Sequence, residues 1–583
     1  MSAAFLNVEA SLTGRRWVGL GLEQDRLAEA MAQQTTLPRP VCQTLARLGV
    51  PVSEAQSYLE PTLKALLPDP SVLRDMDKAA ERLCTAVKSR EKIAIFADYD
   101  VDGATSAALL ITWLRELGLN ATLYIPDRID EGYGPNIPAM EMLAKDHDLI
   151  ICVDCGTLSH DALAAAKDSN VVVLDHHLGG ETLPPALAVV NPNRQDESGD
   201  LAHLCAAGVV FLTLVAANRL LRADGTPAPD LIGLLDLVAL GTVADVAPLI
   251  GVNRALVVQG LKIMGQRRRI GLTALSDVAR MDTAPTSYHL GYLLGPRINA
   301  GGRVGTPDLG ARLLSTQDPA EAQALSERLD ALNSERREIE EQVRIAALEQ
   351  AEARGLDAPL VWAAGPGWHP GVVGIVASRL KEASNRPAVV IGLEDGIGKG
   401  SARSVSGIDL GAQVQKLAME GLLLKGGGHK MAAGLTVEEE KLEPAMARLS
   451  ELMEKQGAGA LGPRDLKLDG VMMAGAATVE LAEQLEKAGP FGAGAAAPRF
   501  AFPDQQIGFT KEVGQGHLKL GFSDGMGPRL DAICFNAVEN GMMDALVGHR
   551  GARFHLAGQV EINTWQGRRS VQLRLEDAAP SGG

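Results

Sequence analysis

Lys92–Ser106 reads KIAIFADYDVDGATS, and the fold is read outward from it. Ile93–Phe96 is a short apolar run rich in β-branched and aromatic residues, the signature of a buried strand. Three carboxylates follow at alternate positions, Asp98, Asp100 and Asp102. Gly103 permits a sharp turn, and Ala104–Arg115 is patterned as a helix with Thr105 and Ser106 near its start. Strand, acidic turn, helix is where an open α/β sheet places a site, outside the carboxyl end of a strand. Three negative charges so close together repel one another unless a cation sits among them. Hard divalent cations take such oxygen ligands.

From about 76 to 250 the same alternation continues. Apolar runs recur at Ala121–Ile125, Leu149–Val153, Val171–Leu174 and Ala188–Val190, with helical stretches such as Met140–Lys145 and His160–Asp168 between them. This implies a doubly wound, mostly parallel sheet. Candidate ligands fall at the strand ends. Leu149–Val153 runs into Asp154-Cys155-Gly156, and Val171–Leu174 into Asp175-His176-His177. Leu234–Leu240, more helical than extended, leads to Asp245. An Asp after a strand is often only a helix cap. Together, four Asp-bearing segments and a His pair make a site for two divalent ions, with Asp154 able to bridge them.

DYDVDGATS, VDCGT, LDHHLGG and GTVADVAPL resemble, in order, the four motifs of the DHH phosphoesterase superfamily. GPRINAGGR (295–303), GWHPGVVGIVASRL (367–380), GSARSVSGIDL (400–410) and GGGHKMAAG (426–434) narrow the resemblance to its bacterial single-strand-specific 5′ exonucleases. The resemblance implies a metal-dependent exonuclease that cuts single-stranded DNA stepwise from the 5′ end to 5′-mononucleotides. It implies two Mn²⁺ or Mg²⁺ ions, one held by Asp98, Asp100 and Asp154, the other by Asp102, Asp154, His176 and Asp245. His177 would face the scissile phosphate, with Asp175 orienting its neighbours. The catalytic set is then His177, Asp154, Asp98 and Asp175. Further implied partners are a single-strand-binding protein and a helicase, with a cytoplasmic location and a role in DNA repair and recombination.

The implied division is an N-terminal extension (1–75) packed on the first domain, a catalytic domain (76–310), a linking helix (311–353), a second α/β domain of DHHA1 type (354–455), an OB-type barrel (465–577) and a disordered tail (578–583). Pro307–Ala353 is strongly helical. Leu325, Leu329, Leu332, Ile339 and Val343 form one packed stripe and the rest is a solvated charged face. About 30 residues at 1.5 Å each make a rod of roughly 45 Å. In the next segment, Gly365–Gly371 opens a helix at Val372, and Gly426–His429 is a second glycine-rich loop. Backbone amides at such a helix start attract phosphate. His369, Arg379, Arg403, Gly427, Gly428 and His429 are therefore candidate substrate-binding residues, with Arg297, Asn299 and Arg303 from GPRINAGGR. Residues 456–470 read as a linker. Recurring short strands after residue 498 predict the barrel, with Phe535 and Trp565 as candidate base stackers and Lys511, Lys519, Arg568 and Arg569 as charge. AGAAAP at 493–498 departs from the related exonucleases after the Pro490-Phe491-Gly492 turn.

With 583 residues the chain is too long for one core. At 46% apolar and 22% charged it has ordinary globular composition, with no apolar run long enough for a bilayer and no secretory signal. Six scattered cysteines fit free thiols in a reducing compartment, and Cys152-x-x-Cys155 is read as packing. A net charge of −16 excludes a broad non-specific grip on nucleic acid but not a local basic groove. One rival reading is a superfamily enzyme for short oligonucleotides, cyclic dinucleotides or pyrophosphate. Chain length and residues 465–577 oppose it. The other is a non-enzymatic scaffold, which the complete ligand set opposes.

Overall fold

The structure is a computed structural model that describes residues 3–128, 130–166, 170–460, 465–525, 527–565 and 567–582. Two compact units divide the chain. One comprises Leu67–Ala247 and Leu256–Gly462, the other Met1–Leu66, Pro248–Ala255 and Pro463–Gly583.

The first unit begins with β1 (Ile93–Ala97), α1 (Val101–Glu116), β2 (Ala121–Tyr124), α2 (Ile137–Asp146), β3 (Leu149–Val153), β4 (Asn170–Leu174) and β5 (Ala188–Val190). The five strands form one parallel sheet in the order β2-β1-β3-β4-β5. All residues of β1 and β3 are buried, as expected of parallel strands covered on both faces. The strand order reverses between β1 and β3, and such a switch point opens a crevice at the carboxyl ends of the two strands. Helices α3 (Ala206–Ala223) and α4 (Leu235–Ala244) complete the layer beside α1. α3 corrects one expectation. With 18 residues and a mean hydropathy of 1.4 it is long and apolar enough to cross a membrane. Here it is a core helix, 72% buried.

The helix after the acidic turn starts three residues earlier than predicted. Asp100 Oδ1 accepts the amides of Asp102 (2.8 Å) and Gly103 (3.1 Å), so Asp100 is the N-cap and Asp102 lies in the first turn. Gly103 is therefore helical rather than the apex of a turn. Its lack of a side chain serves close approach, because a Cβ there would lie 2.3 Å from the carbonyl oxygen of Asp98.

α5 (Gly295–Val304) packs on the acidic turn through Asn299, whose Oδ1 accepts the Val101 amide at 3.1 Å. α6 (Pro319–Arg354) runs 36 residues, about 54 Å at 1.5 Å per residue. Leu325, Leu329, Leu332 and Val343 are its buried stripe. β6 (Val361–Pro366), α7 (Pro370–Ser384), β7 (Ala388–Glu394), β8 (Ile397–Arg403), β9 (Lys425–His429) and β10 (Ala432–Glu438) follow. Their sheet has the order β9-β10-β8-β7-β6, parallel only between β6 and β7. Gly426–His429 is thus an edge strand and not a loop. Its pairing with β10 leaves only Lys430 and Met431 in the hairpin turn.

In the second unit β11 (Phe500–Val513), β12 (His517–Ser523), β13 (Leu530–Cys534), β14 (Arg553–Trp565) and β15 (Arg568–Pro580) close a ring. β11 pairs β12, β12 pairs β13, β13 pairs β15 in parallel, β15 pairs β14, and β14 returns to β11. This is the expected OB-type barrel. Three boundary expectations change. Residues 1–66 belong with the barrel rather than with the first domain: Met31, Val41, Cys42 and Leu45 share a core with Phe500, Phe502 and Phe522. Trp17–Val18 pairs with Leu466–Lys467, so part of the expected linker is a strand, residues 461–464 lying outside those described. The expected disordered tail is partly structured, because Ala578–Pro580 ends β15, with Pro580 opposite Phe554 and Ala578 and Ala579 buried. Apolar residues far apart in the chain are buried together here, which local composition does not reveal.

Candidate metal centre

The acidic residues meet at the switch point. Asp98 follows β1 and Asp154 follows β3. Donor atoms of Asp98, Asp100 and Asp154 lie within 4.8 Å of one another, as do those of Asp102, His176 and Asp245, and those of Asp154, His176 and His177. Asp154 Oδ1 lies 3.2 Å from His176 Nε2 and 3.9 Å from His177 Nδ1. His176 Nε2 is 3.8 Å from Asp102, and its Nδ1 is 3.8 Å from Asp245. Asp102 is further held by the start of α3, accepting the amides of Ala206 (2.6 Å) and Ala207 (2.9 Å). α4 comes this close only because residue 241 is glycine. A Cβ there would lie 2.5 Å from Thr105 Oγ1 and 2.9 Å from Asp102 Oδ1.

The backbone is strained at both ends of the cluster. Asp154 has φ +60°, and Val246, next to Asp245, also has φ +60°. A β-branched residue there is an outlier, and such strain gathers at functional sites.

The electrostatics identify what the site would hold. Burial, together with the charge of Asp100, pushes the Asp98 carboxyl well above its usual range. Burial and the surrounding aspartates do the same to Asp154. Asp102 is raised by burial and by Asp100, against the pull of His176, and burial with Asp102 and Asp100 lifts Asp245 to about 9. Asp98 Oδ1 and Asp154 Oδ1 are buried and accept no hydrogen bond. Among the described residues no lysine or arginine forms an ion pair with any of the five aspartates. Orphaned, mutually repelling carboxylate oxygens with one or two imidazoles fit two hard or borderline divalent ions.

Asp175 behaves differently. Burial raises its carboxyl, but hydrogen bonds from His177 and Thr157 outweigh this and hold it well below the usual range. Its Oδ1 accepts from His177 Nδ1 at 2.8 Å and from the His176 and His177 amides, and its Oδ2 from the Thr157 amide. Burial alone would lower the His177 pKa. Asp175 overrides it and raises the imidazole to about 9, so His177 is cationic at neutral pH.

Several contributing residues escaped the sequence reading. Tyr133 donates to the Asp154 carbonyl at 2.9 Å and lies 3.1 Å from His177 Nδ1. Asn191 donates to the His177 carbonyl and Asn193 to that of His176. The charge of Arg128 acts on Asp98, Arg303, His369 and Arg403. Each of these missed residues follows the carboxyl end of β2 or β5, the same sheet edge as the aspartates, and that position was the available signal.

The candidate substrate residues separate into two sets. Arg303, His369 and Arg403 gather around Arg128. Burial, then Arg128, lowers the Arg303 guanidinium to about 10 and also lowers Arg403 and His369. Arg303 donates to the Gly371 carbonyl and Arg403 to Ser401 Oγ. Arg297 instead pairs with Asp330 on α6 at 2.8 Å, and Arg379 lies against Glu382 and Glu340. Asn299 is committed to Val101. The helix start at Pro370 does not offer free amides, since His369 Nδ1 accepts from Gly371 and the His369 carbonyl from Val372. Gly427, Gly428 and His429 lie on β9, with His429 exposed. In the barrel, Phe535 is 46% exposed against His517, and Lys511 and Arg568 are exposed. Lys519 pairs with Asp531 and Arg569 with Glu483. The Trp565 side chain lies outside the described residues. All six cysteines are free and buried, and burial raises the Cys152 and Cys155 thiols, consistent with packing.

Clustered carboxylates at the switch point of a doubly wound sheet, with a second α/β domain after a long helix, define a phosphoesterase of the DHH class. Residues 92–242 match the DHH family, N-terminal domain, and residues 357–455 the DHHA1 domain. The match extends further, to the RecJ OB domain over residues 468–577. The single-stranded-DNA-specific exonuclease RecJ of Dickeya dadantii (strain 3937) is 39% identical over 573 residues, covering 94% of this chain and 98% of that protein. The crystal structure of RecJ from Thermus thermophilus in complex with Mn²⁺ aligns with TM-score 0.79 at 30% identity, over 96% of this chain and 79% of that one. The Mg²⁺ complex from the same organism aligns with TM-score 0.72 at 28% identity, over 97% and 79%. The chain belongs to the RecJ family.

Proposed function

We propose that this chain is a metal-dependent exonuclease specific for single-stranded DNA, removing 5′-mononucleotides in the 5′ to 3′ direction. The observation that carries the reading is the pair of carboxylate clusters linked through the contact of Asp154 with His176, beside the cationic group of Arg128, Arg303 and Arg403. Asp98, Asp100 and Asp154 would hold one Mn²⁺ or Mg²⁺, and Asp102, Asp154, His176 and Asp245 the other. Such ions, when bound, supply Lewis-acid activation of water and of the phosphoryl group.

The chain's own groups do the rest. His177, cationic and fixed by Asp175 and Tyr133, donates a hydrogen bond to a non-bridging phosphate oxygen as charge develops there. Asp175 keeps the imidazole protonated and oriented. Arg303, Arg403 and His369, with Arg128, hold a phosphate of the strand against the centre. Gly427, Gly428 and His429 on the β9 edge offer backbone amides and an imidazole to the next phosphates. The barrel grips the strand through Phe535 and Trp565 with Lys511 and Arg568. By its likeness to the RecJ exonucleases we infer a cytoplasmic location and a role in repair and recombination, with a single-strand-binding protein and a helicase as partners.

The test is digestion of an oligonucleotide labelled separately at each end, with Mn²⁺, Mg²⁺ or EDTA. Early release of mononucleotide from the 5′ label, abolished by EDTA and absent on duplex, is expected. Turnover of dinucleotides with no cleavage of long strands would overturn the reading.

A further inference from the structure

The chain holds only six tyrosines, and two of them stand side by side in solvent. Tyr288 is 60% and Tyr292 74% exposed. Their rings stack with centroids 5.3 Å apart and planes at 25°. The opposite face of the same helical segment carries the fully buried Leu290 and Leu294, so the segment is firmly seated and the tyrosines are its outward face. His289–Leu294 is wound with i→i+5 hydrogen bonding, an irregularity that concentrates at functional sites, and it runs directly into α5.

This segment is anchored on the metal centre. A methyl group on Gly291 would meet Val243 at 3.5 Å, and one on Gly295 would meet Ala244 at 3.3 Å. Val243 and Ala244 are the two residues before Asp245. Asn299, seven residues after Tyr292 and about 10 Å along the helix, accepts the amide that follows Asp100. The aromatic pair therefore stands on a rigid helix whose next turns touch both halves of the carboxylate cluster.

We propose that Tyr288 and Tyr292 form a stacking platform for one unpaired nucleobase of the strand just beyond the bond being cut, which rests on the exonuclease reading above. Every base has a π-face, so the platform takes any sequence. In a duplex the bases inside the end pair have neighbours on both faces, whereas an unpaired strand can turn any of its bases onto the platform. The platform is thus a device for choosing single strands, placed where it also fixes the distance from held base to held phosphate.

The experiment measures initial rates in Mn²⁺ on oligonucleotides in which one abasic nucleotide is walked along the positions from the 5′ end. For the wild type, one position should raise KM about 5- to 150-fold, the range of a lost base stack. The Tyr288→Ala/Tyr292→Ala variant should show a raised KM on the intact strand and no further penalty at that position. The Tyr288→Phe/Tyr292→Phe variant keeps both rings and should restore the wild-type profile. An abasic profile equal in the wild type and the alanine variant overturns the platform alone. A wild type that digests no single strand overturns the exonuclease reading, and the platform with it.

Discussion

Replacing Asp245 by Asn should stabilise the metal-free protein while weakening its response to divalent ions. Burial and the charges of Asp102 and Asp100 lift the Asp245 carboxyl from 3.8 to about 9. Below the lower value both folded and unfolded chains hold the proton and nothing is lost. Above it the unfolded chain releases the proton and the folded chain keeps it. Folding then loses about 1.36 kcal/mol per pH unit until about 9. At pH 7 the loss is about 4 kcal/mol, and Asn, with no proton to release, avoids it. The assay is thermal unfolding of the wild type and Asp245→Asn in EDTA and in excess Mn²⁺, between pH 4 and 9. In EDTA the two should coincide near pH 4, with the variant's advantage widening toward pH 9. In Mn²⁺ the variant's advantage at pH 7 should shrink, by up to about 2.7 kcal/mol at a hundred times the wild type's Kd, because the variant gains less. A variant no more stable than the wild type in EDTA at pH 7, or a difference independent of pH, would refute the picture of carboxylates held in repulsion for a cation.

Asp154→Ala removes the carboxylate shared by the Asp98–Asp100 cluster and the His176–His177 cluster and should lower digestion of single strands by more than about 100-fold with the circular dichroism spectrum unchanged; near-normal turnover would remove the bridging role. Gly103→Ala places a methyl 2.3 Å from the Asp98 carbonyl oxygen, so it should cost about 1–3 kcal/mol despite better helix propensity. Calorimetry should also find weaker Mn²⁺ binding, and an unchanged affinity would show that the turn tolerates the displacement. Arg254, fully buried over the Tyr58 ring, donates to the carbonyls of Tyr58, Lys487 and Gly489. Arg254→Met strands three acceptors and should cost about 3 kcal/mol or more, read as a lower urea midpoint for the unit that contains the barrel; an unshifted midpoint would mean water replaces the guanidinium.

Much of the site was legible because it follows a local rule. In a parallel sheet every strand ends at the same edge, so a carboxylate or histidine placed just after an apolar run is delivered to that edge whatever the rest of the chain does. Asp98, Asp154, Asp175, His176 and His177 all sit in that position. The same rule covered Arg128, Tyr133, Asn191 and Asn193, which were missed because an arginine, a tyrosine or an asparagine after a strand reads as ordinary loop chemistry. The glycine-rich segments misled for the opposite reason. Gly426–His429 has the composition of a loop, yet the register with β10 makes it a strand, and glycine there admits close neighbours that composition does not announce.

What the sequence determined by itself was the alternation of strand and helix, the acidic edge, the long amphipathic helix and the family to which the motifs belong. These depend on spacings of a few residues. Only the tertiary structure decided which charges are free. Arg297 and Arg303 lie six residues apart on one helix, but Asp330 neutralises the first while the second faces Arg128. It also decided that residues of the first 66 share a core with residues of the last 121, and that Asp102 is fixed by the start of α3 about a hundred residues away. Partners so distant along the chain are chosen by the packing of whole layers, where burial and charge balance are settled together, and no local pattern encodes that choice.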